Sequence, residues 1–361
     1  MSDRSLDNVN IASQELLPTP QTLRERYPVS EQAAETVLAA RAAIKRILAG
    51  HDSRVMVVVG PCSIHDVDAA VEYAERLAGL ARELGDTLLL VMRVYFEKPR
   101  TSTGWKGLIN DPHLDDSFRI DEGIDKARGL LLRLAELGVP VGTEALDPIT
   151  PQYLSDLVSW YAIGARTSES QTHRDMASGL SAPVGFKNGT DGNVEAAVNA
   201  LKAVSRPQHF LGVTSDGRCA VFHTGGNRAS HIILRGGARP NYDSVSVALC
   251  EEALAAAKLP ANVVVDCSHG NSFKQHDVQP LVLKNCINQI RDGNCSIVGF
   301  MLESNLEAGR QDIPADRTKL RRGVSVTDAC IDWRTTEVVL REARELLAPV
   351  LAGRARAQGA V

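Results

Sequence analysis

The run RVMVVVG at residues 54–60 decides the fold class, because it is a short, continuous apolar segment that a glycine ends. Further apolar runs follow it, and helical stretches such as residues 68–84 and 121–137 separate most of them. Apolar strands that alternate with helices indicate a parallel sheet covered by helices. The other predicted strands cover residues 88–96, 139–144, 159–166, 184–187, 231–235, 263–267 and 296–302. Eight such units over roughly 250 residues predict an α/β fold of the (β/α)8 TIM-barrel type.

One stretch interrupts this alternation. Residues 210–214 and 218–223 flank the turn Ser215-Asp216-Gly217, and both segments alternate apolar and polar side chains. This pattern predicts a β-hairpin over about residues 210–224, inserted between the fifth and sixth barrel strands.

The ends of the chain differ from the barrel in composition. Residues 1–20 are polar and then punctuated by prolines, which is typical of an extended arm. Apolar residues at helical spacing predict a helix over residues 31–49. We therefore divide the chain into an N-terminal arm and helix at 1–50, the barrel at 51–350 and a frayed tail at 351–361.

Composition excludes several classes of function. A formal net charge of −4 gives no reason to expect nucleic acid as a partner, and no apolar run is long enough for a membrane span. Seven cysteines, an odd number without regular spacing, favour a reducing cytoplasm over a disulfide framework. The chain has no Walker A loop, dinucleotide fingerprint or HExxH motif, so we expect no nucleotide cofactor.

Ionisable residues lie at or just after nearly every predicted strand end, where a barrel carries its chemistry. Half of these ends carry a cation in a chain that is acidic overall, which predicts that anionic substrates bind at the barrel mouth. Glycine-rich turns at residues 189–192 and 236–237 could bring backbone N–H groups close to phosphate. The strand-end residues are Cys62, Arg93 with Lys98, Glu144, Arg166, Lys187, Arg235, His269 and Glu303.

Four residues are candidates for one metal site. A thiolate, an imidazole and two carboxylates suit a divalent first-row ion, such as Mn, Fe, Co or Zn. Their long spacing leaves open the alternative that the cysteine is a buried core residue without a ligand. The four are Cys62, His269, Glu303 and Asp328.

Five motifs lie at or near the predicted strand ends: GPCSIH at 60–65, RVYFEKPRT at 93–101, GART at 164–167, PVGFKNGT at 183–190 and DCSHGNS at 266–272. They resemble the signatures of microbial type I 3-deoxy-D-arabino-heptulosonate 7-phosphate (DAHP) synthases. The resemblance extends from the arm to about Trp333 and implies the same barrel, arm and inserted hairpin. It is weaker between residues 310 and 322, which puts the order of that loop in question.

The resemblance implies a reaction and a role for each strand-end residue. The reaction is a transferase step, the condensation of phosphoenolpyruvate with D-erythrose 4-phosphate, which opens the shikimate pathway to aromatic amino acids. The four candidates above would bind the metal, and Lys98, Glu144 and His269 would be catalytic. Phosphoenolpyruvate would bind Arg93, Arg166, Lys187 and Arg235. Lys98 would lie between the two substrates, and Pro99, Arg100 and Thr101 would bind erythrose 4-phosphate.

The resemblance also implies feedback inhibition by an aromatic amino acid. The matching cavity residues are Gln152, Ser181, Phe210 and Gly212. Glycine at position 212 is typical of tyrosine-sensitive members, since a missing side chain leaves space for a phenolic oxygen, although the glycine could simply serve the hairpin. The arm and hairpin imply a homodimer or homotetramer.

Two other functions remain open at this point. One is 3-deoxy-octulosonate 8-phosphate synthase, which performs the same chemistry on a five-carbon sugar phosphate. The run Lys98-Pro99-Arg100-Thr101 and the long arm favour the four-carbon substrate. The other is a non-catalytic sugar-phosphate sensor, which would not need to keep a complete metal set.

Overall fold

The computed structural model describes residues 6–100 and 103–351 and contains a closed barrel of eight parallel strands, as predicted. The fifth and sixth barrel strands are separated in sequence by the antiparallel hairpin β6–β7, also as predicted. The strands are β1 (Val55–Gly60), β2 (Leu88–Arg93), β3 (Val141–Glu144), β4 (Trp160–Ile163), β5 (Val184–Lys187), β6 (His209–Val213), β7 (Cys219–His223), β8 (Ser230–Leu234), β9 (Val263–Asp266) and β10 (Ile297–Glu303).

Helices connect most of the strands and cover the outside of the barrel. They are α1 (Pro20–Arg26), α2 (Glu31–Leu48), α3 (Val67–Leu84), α4 (Ile120–Glu136), α5 (Thr150–Leu154), α6 (Gln171–Gly179), α7 (Glu195–Val204), α8 (Ser244–Ala256), α9 (Gln279–Arg291) and α10 (Trp333–Leu351). Short 3₁₀ helices span Ser155–Leu157, His269–Ser272, His276–Val278 and Arg317–Lys319.

Successive side chains of a strand point alternately into and out of the barrel, so the core has an inner and an outer layer. Met56 and Val58 of β1 pack inside the barrel with Trp160, whereas the intervening valines pack against the outer helices. Ile44 and Ile47 of α2 join the inner cluster. Helix α2 therefore covers the N-terminal end of the barrel, so the open mouth lies at the C-terminal ends of the strands.

Helix α1 is the one helix in the described arm region that the sequence reasoning did not predict. Its signals are local: the Thr19 side chain accepts a hydrogen bond from the Thr22 amide at 3.1 Å, and Pro20 occupies the first helical position. The hydroxyl of Tyr153 also donates to the Pro18 carbonyl at 2.9 Å, which fastens the arm to α5.

The segment that precedes Asp328 has a defined path, although its sequence left this in question. The side chain of Gln311 donates to the carbonyls of Arg321 and Val324 at 2.8 and 2.9 Å. Its Oε1 atom accepts from the Arg321 amide at 2.9 Å. One glutamine thus bridges the two ends of the loop.

The predicted tail beyond residue 351 and the first five residues of the arm lie outside the described residues. No helix in the described part of the chain combines the length and the apolar character that crossing a membrane requires.

Candidate active site

Three of the four predicted metal donors lie together at the barrel mouth. The Cys62 Sγ atom and carboxylate oxygens of Glu303 and Asp328 all lie within 4.8 Å of one another. Cys62 follows β1, Glu303 ends β10, and Asp328 belongs to the loop that leads to α10. The first two side chains are buried and the third is half-buried.

Two contacts hold the Asp328 loop beside β1 and β10. The hydroxyls of Ser63 and Thr327, each next to a predicted donor, lie 2.7 Å apart. The Ile331 amide donates to the Glu303 carbonyl at 3.0 Å. These bonds bring parts of the chain that are remote in sequence into one site.

His269, the fourth predicted donor, lies beside this group. Its Nε2 atom is 3.8 Å from Glu303 Oε1, and its Nδ1 atom is 2.9 Å from Asp266 Oδ2 and 2.7 Å from Ser268 Oγ. A histidine that binds metal through one nitrogen usually has its other nitrogen oriented by a carboxylate. Asp266 is therefore placed to orient the ring, a role that the sequence reasoning did not assign to it.

Gln279 holds the backbone of Glu303 and was also missed. The Glu303 amide donates to Gln279 Oε1 at 2.8 Å, and Gln279 Nε2 donates to the Glu303 carbonyl at 3.0 Å. Gln279 is fully buried at the start of α9. Nothing local in the sequence signals this pairing, because it joins residues on two different elements.

The charges around the group fit a bound divalent ion. Burial raises the pKa of the Cys62 thiol, and the nearby Glu303 raises it further, whereas Lys98 and Arg93 oppose that shift. Burial also acts to raise the pKa of Asp328, but positive charge from His269 and Lys98 outweighs it and lowers the pKa. Buried acidic donors need a compensating charge, and this donor set suits a first-row divalent ion.

The predicted phosphoenolpyruvate cations adjoin the metal donors. Arg93 Nη2 donates to Glu303 Oε1 at 3.0 Å, and Lys187 Nζ donates to Asp266 Oδ2 at 2.9 Å. Both side chains are almost fully buried. Arg166 follows β4 and is exposed, and Arg235 follows β8 and is half-buried. The two buried cations are thus paired with carboxylates, while the other two lie nearer solvent.

The predicted erythrose 4-phosphate segment follows β2. Lys98 Nζ lies 3.0 Å from Cys62 Sγ, which connects this segment directly to the metal donors. The Arg100 Nε atom donates to the Trp105 carbonyl at 2.7 Å, and Pro99 is half-buried. Thr101 lies outside the described residues.

Asn188 fixes the glycine-rich turns at the mouth. Its Nδ2 atom donates to the carbonyls of Gly189 and Gly236 at 2.8 and 3.0 Å, and its Oδ1 atom accepts from the Arg235 amide at 2.7 Å. A Cβ atom added to Gly237 would lie 2.3 Å from the carbonyl carbon of Asp191. Glycine is required here because the two turns approach each other so closely.

Two carboxylates at the mouth are poorly solvated. Glu144 ends β3, and its Oε1 atom is buried without a hydrogen-bond partner among the described residues. Glu97, which the sequence reasoning passed over, accepts a hydrogen bond from Thr150 Oγ1 at 3.1 Å. Burial, reinforced by Asp147, raises the pKa of Glu97 to about 7.

Replacing Glu97 with glutamine is expected to stabilise the protein at pH 8 more than at pH 5. The unfolded carboxyl has a pKa of about 4.3, so wild-type stability falls as pH rises from about 4.3 through the folded pKa near 7. Glutamine does not ionise, so the free energy of unfolding of the variant relative to wild type should rise by roughly 2–3 kcal/mol between pH 5 and pH 8. Urea unfolding measures this difference.

The exposed Glu136 provides the matched control for this prediction. Glu136→Gln should leave the pH dependence of unfolding unchanged. If Glu97→Gln and wild type lost stability in parallel between pH 5 and pH 8, Glu97 would have an ordinary pKa.

Comparison with known proteins agrees with this geometry. A sequence model described as the DAHP synthetase I family matches residues 26–341. The chain is 53% identical to the Tyr-sensitive phospho-2-dehydro-3-deoxyheptonate aldolase of Escherichia coli K12, over 95% of this chain and 96% of that protein. It is 55% identical to the Phe-sensitive protein of the same strain, over 91% and 93% of the two chains.

A solved structure supports the same assignment. The phospho-2-dehydro-3-deoxyheptonate aldolase of Francisella tularensis SCHU S4 superposes with a TM-score of 0.92 at 48% identity. The match covers 94% of this chain and 99% of that one. With the barrel and the donor and cation clusters at its mouth, these matches show that the chain belongs to the DAHP synthetase I family.

Proposed function

We propose that the protein condenses phosphoenolpyruvate with erythrose 4-phosphate to form DAHP and phosphate. The observation that carries this proposal is one unbroken series of contacts at the barrel mouth. Lys187 contacts Asp266, Asp266 contacts His269, His269 lies beside Glu303, and Glu303 contacts Arg93. Groups suited to bind an anion and groups suited to bind a metal thus form a single site.

The cations bind the substrate anions and orient the reacting carbons. The planar guanidinium groups of Arg93, Arg166 and Arg235 match carboxylate and phosphate oxygens, and Lys187 adds a point charge. Pro99, Arg100 and Thr101 receive the sugar phosphate. Holding the reacting carbons of both substrates in line lowers the activation free energy of the condensation by several kcal/mol.

The bonds change in a defined order. C3 of phosphoenolpyruvate attacks the aldehyde carbon, water adds at the cationic C2, and phosphate leaves with cleavage of the C2–O bond. A divalent ion held by the four predicted donors would supply Lewis-acid polarisation of the aldehyde. Lys98 gives a proton to the new alkoxide oxygen. Glu144, whose buried Oε1 atom has no hydrogen-bond partner within the described part of the chain, orients the water.

A substrate assay tests the reaction. Purified protein is incubated with phosphoenolpyruvate and erythrose 4-phosphate, with and without EDTA, while the enolpyruvate absorbance is followed. Loss should require both substrates, stop with EDTA and return with a divalent metal. Turnover with arabinose 5-phosphate in place of erythrose 4-phosphate would instead indicate the octulosonate synthase. No turnover with either sugar would indicate a sensor.

We further propose that tyrosine inhibits the enzyme at a cavity beside the hairpin. Helix α1 connects the parts that would form it: the Gln21 amide donates to the Ser215 carbonyl at 2.8 Å, and Arg24 donates to the Gln152 carbonyl at 2.7 Å. The Ser178 hydroxyl, close to Ser181, lies 2.7 Å from the Thr224 hydroxyl at the base of the hairpin. The predicted inhibitor residues therefore adjoin one connected group of elements.

Gly212 has a packing role in this group. Phe210 stacks on Phe222 across the hairpin, with ring centroids 5.6 Å apart. A Cβ atom at position 212 would lie 2.9 Å from the Phe222 ring. The space left by the glycine is thus taken up by an aromatic ring, which differs from the open space expected for a phenolic oxygen.

Replacing Gly212 with serine is expected to raise the tyrosine concentration for half-inhibition by about tenfold or more, equivalent to about 1.4 kcal/mol. The added side chain displaces the Phe222 ring and with it the wall of the cavity. Turnover without inhibitor should change little. The measurement is a set of inhibition curves with tyrosine, phenylalanine and tryptophan.

Gly79→Ser is the control for this substitution, because Gly79 is exposed on α3 and a Cβ atom added there would meet no atom within 4 Å. Its inhibition curves should match those of wild type. Wild-type inhibition by phenylalanine at lower concentrations than tyrosine would refute the tyrosine assignment. If the tyrosine inhibition curve of Gly212→Ser matched that of wild type, Gly212 would have no role in the inhibitor cavity.

We also infer a cytoplasmic homodimer or homotetramer that assembles through the arm and the hairpin. Leu6 and Leu16 are 99% and 100% exposed in the single chain, which is unusual for two large apolar side chains on one segment. Light scattering coupled to size exclusion measures the state. A monomer at micromolar concentration would contradict this inference.

A further inference from the structure

Two histidines form a pair on the outer face of the hairpin. His209 of β6 and His223 of β7 are direct partners in the antiparallel register. Their Nδ1 atoms lie 2.7 Å apart, the rings meet edge to face at 4.6 Å, and both side chains are exposed. Phe210 and Phe222, the next pair, point to the opposite face and are half-buried. The histidine pair is therefore separate from the predicted inhibitor cavity and from the barrel mouth.

Each of these two rings uses one nitrogen and keeps the other available to solvent. Within residues 6–100 and 103–351, neither ring has any hydrogen-bond partner except the other. One Nδ1 atom must carry a proton and donate, while the other accepts. No third group fixes either tautomer, so a proton on Nδ1 can move to the exposed Nε2 atom of the same ring.

We propose that His209 and His223 bind one divalent cation of the Zn²⁺, Ni²⁺ or Cu²⁺ class between their Nδ1 atoms. Imidazole is a preferred ligand of these ions at about 2.0–2.1 Å, which places two nitrogens roughly 3.0–3.4 Å apart on one ion. The observed separation is 2.7 Å, so the exposed rings need to open by only about 0.5 Å. The cation replaces the shared proton, which moves to Nε2, and water completes the coordination.

Binding at this place would fasten the hairpin at its base. His209 and His223 are the terminal residues of their strands, where the chain enters and leaves the hairpin. A cation between them crosslinks β6 to β7 beside the stacked Phe210 and Phe222 rings. Because a ligand that binds only the folded form stabilises it, the bound ion should slow opening of this hairpin.

Retention on immobilised Ni²⁺ tests the site without interference from the barrel mouth. An immobilised ion reaches exposed side chains but cannot reach Cys62, which is fully buried. Untagged full-length protein should be retained, and either His209→Gln or His223→Gln should lower the imidazole needed for elution by about tenfold, since loss of one ligand abolishes chelation. His51→Gln, which removes an exposed histidine elsewhere, should elute with wild type.

Hydrogen exchange supplies an independent measurement. Dissolved Ni²⁺ should slow exchange of amides in residues 209–213 and 219–223 of wild type but not of His209→Gln. Any slowing at the barrel mouth should persist in that variant, so the two metal sites are distinguished even if the proposed reaction is wrong. Equal elution of wild type and both histidine variants, or hairpin exchange that Ni²⁺ leaves unchanged, would overturn the proposal.

Discussion

Cys62→Ala is expected to lose both bound metal and condensation activity while the barrel stays folded. The thiol lies within 4.8 Å of the carboxylate oxygens of Glu303 and Asp328, so its removal deletes one of three clustered donors. A Lewis acid contributes several kcal/mol of transition-state stabilisation, which corresponds to a loss of about 10³-fold or more in kcat/KM. Metal content per chain after dialysis, together with phosphoenolpyruvate turnover, measures both effects.

Cys250→Ala is the matched control, because Cys250 is equally buried but lies in α8, away from the barrel mouth. This variant should keep wild-type metal content and turnover. After EDTA treatment of both proteins, the unfolding midpoint of Cys62→Ala should stay close to that of wild type, since only one sulfur atom is removed. Full activity of Cys62→Ala in metal-free buffer would disprove the metal assignment.

Arg93→Ala is expected to reduce both stability and catalysis more than other single substitutions at the mouth. The guanidinium donates to the carbonyls of Pro61 and Cys62 at 3.1 and 3.2 Å and to Glu303 Oε1 at 3.0 Å. It also lies 3.6 Å above the Tyr95 ring. Its removal leaves a buried carboxylate without its charge partner, which typically costs about 3–5 kcal/mol.

The Arg93 guanidinium stays protonated in wild type. Burial acts to lower its pKa, but Tyr95 and Glu303 outweigh burial, and the pKa is raised. Arg93→Lys should fail to restore turnover, because an ammonium group cannot bind the Glu303 carboxylate and two backbone carbonyls with the planar fork of arginine. Urea unfolding and kcat/KM for phosphoenolpyruvate measure the two losses.

Arg128→Ala separates the loss of stability from the loss of binding. Arg128 is also fully buried and pairs with Asp156 at 2.8 Å, but it lies in α4 on the outside of the barrel. It should lose comparable stability while the folded fraction keeps its kcat/KM. If Arg93→Ala retained wild-type kcat/KM for phosphoenolpyruvate, Arg93 would have only a structural role.

The barrel, and the position of ionisable residues at its strand ends, could be predicted from local patterns. Apolar runs such as residues 55–60 are buried on both faces in the structure, and the alternating segments on either side of residues 215–217 form the hairpin. Strand ends could be located in this way, and a parallel barrel brings all of its strand ends to one mouth. That topological fact is why Cys62 and Glu303 could be placed together from the sequence.

Local patterns failed where a role depends on a partner that is distant in sequence. Gln279 was missed because its two bonds go to the backbone of Glu303 on another element. The sequence alone assigns no role to Asp266 or Asn188, since their contacts join different strand-end loops. Cys295 lies just before the apolar strand β10 but is exposed in the turn that precedes it.

The sequence by itself determined the barrel, the inserted hairpin and the types of side chain that the strand ends bring to the barrel mouth. Only the tertiary structure decided that Glu97 lies in a poorly solvated place that raises its pKa to about 7. It alone decided that the Phe222 ring fills the space beside Gly212, and that the two hairpin histidines face each other. The spacing of apolar residues indicates which face of a helix or strand is buried. A pKa, the shape of a cavity and the geometry of a ligand site depend instead on distances between different elements, which that spacing does not specify.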